Sequence, residues 1–204
     1  MINQYLTLAD WRRQVAEMYA EVRRNNNSAA AWREFCARRN RLFAEHPQTP
    51  LSANQRAEFH GLRYFDYNPA WRFVGQVETD VTPDTREILL PADGAFRMSR
   101  AARVHFLVQG QAAALSLFWI EGYGGGLFLP FRDATNNVST YGGGRYLIDG
   151  IKGADLSPSA DEVILDFNFA YNPSCAYNNQ WVCPLSPPEN RLPFAVEAGE
   201  KKFV

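Results

Sequence analysis

The sequence predicts an α+β protein, mainly antiparallel β: a barrel or sandwich of about nine strands preceded by an N-terminal helical hairpin. Three observations carry this expectation. Apolar residues recur at helical spacing in two stretches before Pro50. After Gly61 the pattern changes to alternation in short runs. Pro, Gly and polar turns divide those runs with no long helical segment between them, so antiparallel neighbours are expected rather than βαβ crossovers. Closing the sheet on itself would remove its exposed edges.

Thr7 has the chemistry of an N-cap, and Asp10, three residues on, can serve as its short capping partner. Leu8, Trp11, Val15, Met18, Tyr19 and Val22 then predict an amphipathic helix over 8–24, ended by Asn25-Asn26-Asn27. Ser28 is placed to cap a second helix with Trp32, Phe35, Cys36, Arg39, Leu42 and Phe43 on one stripe, stopped by Pro47 and Pro50. A short helical turn fits 52–59. Strands are expected over 71–78, 86–90, 95–99, 102–108, 112–120, 126–131, 145–149, 163–169 and 193–198. Pro91-Ala92-Asp93-Gly94 reads as a turn in which Pro fixes φ and Gly accepts a positive one. The runs 102–108 and 112–120, joined at Gln109-Gly110-Gln111, read as a hairpin buried on both faces and central in the sheet. With no repeat, low-complexity segment or linker, residues 1–204 are expected to form one domain, with 1–50 the hairpin and 60–204 the β-rich body.

Composition narrows the function classes. The net charge of −1 gives no electrostatic case for nucleic acid or an anionic membrane. Eight Arg against five acids fall in 1–47, a mild excess that suits a solvated helical face. No apolar run reaches the length of a membrane span, and Met1 to Thr7 is too short and polar for a leader, so a cytoplasmic protein is expected. Three Cys argue against a disulfide scaffold.

Polar, aromatic, Gly, Pro and Cys residues concentrate between Phe131 and Arg191. Gly124-Gly125-Gly126 and Gly142-Gly143-Gly144 precede predicted strands rather than helices, which suits tight turns more than a phosphate loop. Arg145 follows the second triplet, and its planar fork suits a carboxylate or phosphate. Asp166 and Asn168 share one strand face. The charged and amide groups have two readings. They line the rim and floor of a small-ligand pocket, or they form a network that pins the Pro-rich loop 171–193. In the pocket reading, Arg132, Thr135, Tyr141, Arg145, Asn168, Tyr171, Asn172, Asn190 and Arg191 bind the ligand. Arg145 and Arg191 would hold an anionic group, Asp133 or Glu189 would be the acid or base, and Cys175 a nucleophile. Tyr146, Tyr177 and Trp181 would add aromatic lining.

Cys175 and Cys183 are eight residues apart. That spacing is weak for zinc, and no metal site is assigned. A disulfide there would add about 2–3 kcal/mol by the loop-entropy argument, but a reducing compartment favours two packed thiols. Flavin is suggested by architecture alone, so the cofactor stays open.

One resemblance is specific. Arg132-Asp133-Ala134-Thr135, Tyr141-Gly142-Gly143-Gly144-Arg145-Tyr146, Asp166-Phe167-Asn168, Ala170-Tyr171-Asn172-Pro173, Cys175-Ala176-Tyr177, Cys183-Pro184-Leu185 and Pro188-Glu189-Asn190-Arg191-Leu192-Pro193 resemble the signature of a prokaryotic family, domain of unknown function 1684. Ala198-Gly199-Glu200-Lys201 resembles that family's usual close. Asn136-Asn137-Val138 departs from it, standing where a Ser-Gly type turn is usual. The resemblance implies a family rather than an activity. The reading from sequence is therefore a small-molecule-binding protein, open as to enzymatic activity. The alternative is a structural or interaction module, with the helical hairpin making a homodimer.

Overall fold

The structure is a computed structural model that describes residues 3–90, 94–159 and 162–203. Helix α1 (Gln4–Arg24) and helix α2 (Ser28–Glu45) form the expected hairpin, and α3 (Ala53–Ala57) is a single short helix. Each long helix starts on an asparagine rather than on the expected hydroxyl residue. Asn3 accepts from the Tyr5 N–H, and Asn27 accepts from the Ala30 N–H. Thr7 lies inside α1, and Asp10 instead binds Arg13, Gln14 and His46. Asn caps as well as Ser or Thr, so residue type alone did not fix the boundary. Ser52 caps α3 in a full capping box with Gln55.

The described residues contain seven strands: β1 (Arg72–Glu78), β2 (Thr85–Leu90), β3 (Gly94–Val108), β4 (Gln111–Ile120), β5 (Gly126–Phe131), β6 (Arg145–Asp149) and β7 (Val163–Asp166). They form one antiparallel sheet in the order β6-β5-β4-β3-β1-β7, with β2 also paired to β3. Beyond β7, Tyr171 exchanges two backbone bonds with Tyr146 of β6, at 2.9 and 3.0 Å. This nearly closes the barrel. No helix in the described residues is long and apolar enough to cross a membrane.

Three differences from the expected strands have clear causes. The runs 95–99 and 102–108 are one strand, β3, bent at a bulge between Arg100 and Ala102, which lets one half pair with β2 and the other with β1. Segment 193–198 forms no strand: Arg145 and Asp133 take the backbone groups of Val196 and the Ala198 carbonyl, and the Phe194 carbonyl accepts from the Ala134 N–H, which belongs to no strand. Strand β7 stops at Asp166, whose carboxylate accepts the Asn168 N–H and starts a 3-10 turn, Phe167–Phe169. Of the turn expected at 91–94, Pro91 to Asp93 lie outside the described residues.

The β3–β4 hairpin turns on two residues, Gln109 at φ +50° and Gly110 at φ +83°, the backbone of a tight type I′ loop. Near its tip the hairpin exposes one face, so burial alternates along the end of β3. It is buried on both faces only around Leu115–Phe118. There, neighbouring residues feed two cores. Leu117, Leu129, Leu147 and Phe167 fill the barrel. Phe118, Phe128, Tyr146 and Phe169 face Val15, Met18, Tyr19, Phe35 and Leu42 of the helical hairpin.

Candidate functional site

Most of the residues nominated from sequence are brought together, with their bonding capacity turned inward. Arg145 and Asp133 form a fully buried ion pair at 3.0 Å. Arg145 also donates to the carbonyls of Val196 (3.0 Å), Ala198 and Glu200 (3.3 Å). Asp133 Oδ1 accepts from the Thr135 N–H (2.8 Å), the Thr135 hydroxyl (2.5 Å) and the Val196 N–H (3.1 Å). Burial pulls the Arg145 pKa below its ordinary value, and Asp133 opposes that pull. With both terminal nitrogens engaged in this way and only its buried Nε unpartnered, Arg145 fastens segment 196–200 and has little left for a soluble anion.

The other amides act alike. Asn190 donates to the carbonyls of Ser116 and Pro130 and accepts from the Ser116 N–H, all within 2.7–2.8 Å. Asn168 exchanges two bonds with the Asn68 backbone. Asn172 donates to the Lys201 carbonyl at 2.8 Å. Tyr171 donates to Asp149, which also pairs with Lys152. Glu189 and Asp84 are bridged by Arg86 and Arg100, a half-buried clamp rather than an exposed acid. Arg132 pairs through its backbone with the 190–192 segment, and the Arg191 side chain is exposed. In the departing loop, Asn136 bonds Thr140 and the Tyr141 carbonyl, and Asn137 takes φ +66°, which Asn tolerates better than most residues.

One buried network was not legible as such from the sequence. Glu200 accepts from Arg39 (3.1 Å), the Asn172 N–H (3.1 Å) and the Tyr177 hydroxyl. Arg39 stacks over Phe43 and Tyr171 at 4.8 and 4.9 Å. Burial opposes its charge, but Glu200 and Tyr177 outweigh it and hold the pKa above the ordinary value. Arg39 was visible only as one member of an apolar helical stripe.

Inside these networks Arg39 Nε, Arg132 Nε, Arg145 Nε and Asn172 Oδ1 stay buried and unpartnered, and two more accessible places also keep capacity open. The first is the half-buried group Tyr141, Cys175 and Cys183. The Tyr141 hydroxyl donates to Cys175 Sγ at 3.5 Å, and the Cys175 N–H donates to Cys183 Sγ at 3.4 Å. The second is a groove of about 400 Å³ lined by residues 58–63 and 200–203 together with Gln55. Phe59, Leu62 and Phe203 give it apolar walls, and His60, Arg63, Lys201 and Lys202 surround them against Glu58. None of the residues nominated from sequence lines this groove. The Lys201-Lys202 pair was the available signal. Among the described residues no cluster of three or more His, Cys, Asp or Glu could hold a metal.

The model of one protein family, described as a protein of unknown function (DUF1684), matches residues 57–201. The chain belongs to the DUF1684 family. It is also similar to an uncharacterized protein of Haloarcula marismortui solved by solution NMR. The two are 37% identical, with 83% of this chain and 91% of that one covered, at a TM-score of 0.61. No curated protein matches the chain. The DUF1684 span holds both ends of the Arg145–Asp133 pair and all but Gln55, Lys202 and Phe203 of the groove lining. It stops short of Arg39, which reaches in from α2 to complete the Glu200 network.

Proposed function

We propose that this DUF1684 protein binds a small anionic molecule with an apolar part, in the groove between 58–63 and 200–203. The observation that carries this is the groove's combination of size and chemistry. A volume of about 400 Å³ is in the range of small-ligand sites, roughly 300–1,000 Å³. Apolar walls beneath four basic side chains suit a carboxylate, sulfonate or phosphate carried on a ring or short chain. The neighbouring Arg39–Glu200–Tyr177 network holds one wall in place, since Gln55 donates to the Tyr177 carbonyl at 2.6 Å.

Anilinonaphthalene sulfonate, an anionic aromatic dye, is a suitable probe for fluorescence titration. A single saturable site is expected. Arg63→Glu with Lys202→Glu should weaken binding by about tenfold, equivalent to about 1.4 kcal/mol, without moving the melting temperature, because both side chains are exposed. Unchanged affinity in the double variant would remove the groove from consideration. The second reading is a structural module without a ligand. The observation favouring it is that Asp133, Arg145, Asn168 and Asn190 spend their bonds on the protein itself. Native mass spectrometry showing no co-purified small molecule, together with absence of saturable dye binding, would leave that reading standing. The same spectra report whether the chain is a homodimer.

A further inference from the structure

We infer that Cys175 and Cys183 are a peroxide-sensitive thiol pair, in which Cys175 is oxidised first and Cys183 closes on it as a disulfide. This stands apart from the groove and does not depend on it.

The geometry is particular to this pair. Cys175 sits on the 3-10 turn Ser174–Ala176, and Cys183 comes back beside it after the excursion through Trp181. The sulfur of Cys183 lies 3.4 Å from the backbone nitrogen of Cys175, within a side chain's reach of the other sulfur. Both thiols are only half-buried. The limb carrying Cys183 is fixed from the next residue, since the Tyr146 hydroxyl donates to the Pro184 carbonyl at 2.6 Å. Two mobile thiols would rarely meet; here the fold has already met much of the entropic cost of bringing them together.

The surroundings distinguish the two sulfurs, since Cys175 Sγ accepts from the Tyr141 hydroxyl while Cys183 Sγ accepts from the Cys175 N–H. Cys175 is supported by the Cys183 side chain and by the Tyr141 hydroxyl, and its pKa is lowered to about 6. Cys183 faces that thiolate, and its own pKa is raised. The Lys152 charge favours ionised Cys183 and the Arg132 charge ionised Tyr141, while both sulfurs disfavour ionisation of Tyr146. Cys36 is the internal contrast: burial in the helical hairpin raises its pKa to about 12, which keeps it a thiol.

The chemistry balances with hydrogen peroxide as the oxidant. The Cys175 thiolate attacks one peroxide oxygen, the O–O bond breaks, and hydroxide leaves and takes a proton to become water. The sulfur is then a sulfenic acid. With the Cys175 charge gone, Cys183 no longer faces an anion. Its sulfur attacks the sulfenic sulfur, the S–O bond breaks, and hydroxide departs with the Cys183 proton as a second water. Two thiols lose two protons and two electrons, and the peroxide accepts both to become two waters.

The test is intact-mass and peptide-mapping mass spectrometry of the reduced full chain after exposure to hydrogen peroxide. The expected product is lighter by two hydrogens, carries a Cys175–Cys183 crosslinked peptide and leaves Cys36 alkylatable. Cys183→Ser should instead trap a dimedone adduct on Cys175. Oxygen addition without crosslinking, or modification of Cys36 ahead of Cys175, would overturn the inference. A second readout needs no variant. Iodoacetamide labelling of Cys175 in the unaltered chain should rise to half its plateau near pH 6 and fall to about a tenth of the plateau one unit below that. Half-labelling at the ordinary thiol value, about 8.5, would also overturn it.

Discussion

Arg145→Met is expected to cost about 3–5 kcal/mol and to lower the melting temperature by roughly 6–20 °C, read by thermal circular dichroism. The size follows from what is left behind. Asp133 would remain an uncompensated buried carboxylate, and the Val196, Ala198 and Glu200 carbonyls would each lose a donor. Replacing a buried ion pair by apolar residues is often neutral, but that escape is closed here. Asp133 also accepts from the Thr135 and Val196 N–H groups, so Arg145→Met combined with Asp133→Leu should be no more stable than Arg145→Met alone. A change below about 1 kcal/mol in Arg145→Met would mean that the network does not hold the fold, and would restore these residues as candidates for ligand contact.

Gly199→Ala is expected to cost about 3 kcal/mol, seen as a lower urea midpoint with an unchanged slope. Gly199 has φ +76°, which an alanine adopts at about 1–2 kcal/mol. Its added Cβ would also stand 2.6 Å from the carbonyl oxygens of both Phe167 and Ala170. Those oxygens cannot withdraw freely, because they accept from the Ala170 and Glu200 N–H groups. Relieving such an overlap adds about 1–3 kcal/mol. Gly110→Ala is the control. It has a similar φ, +83°, but open space around the new methyl, so about 1 kcal/mol is expected. Equal effects at the two glycines would show that the close approach beneath Gly199 is not a constraint.

These two predictions mark how the signature residues were readable. Arg145, Asp133 and Gly199 stood out in the sequence because the residues they keep company with are chemically distinctive, not because a ligand was visible. The sequence also left two uses open for them, and their role within the fold follows from contacts between distant positions, such as Arg145 to Val196, 51 apart. Local rules had no access to such partners. Arg39 shows the same limit from the other side. Its place on the α2 stripe was right, but its bond to Glu200, 161 residues away, turns a stripe member into the partner of a deeply buried carboxylate. The groove was missed for a further reason. His60, Arg63, Lys201 and Lys202 are ordinary surface residues at each end of the β-rich body, and they become one site only because the 199–201 backbone bonds back along 63–65.

By itself the sequence determined the helical hairpin, the antiparallel sheet behind it and the family, because periodicity, turn chemistry and the signature motifs are local properties written in neighbouring residues. Only the tertiary structure decided that β3 is one bent strand, that 193–198 is tied down by side chains instead of a strand, and which groups keep free valences. Those outcomes depend on burial and on hydrogen-bond partners far apart in the chain, where the cost of leaving a buried polar group unpaired selects the arrangement.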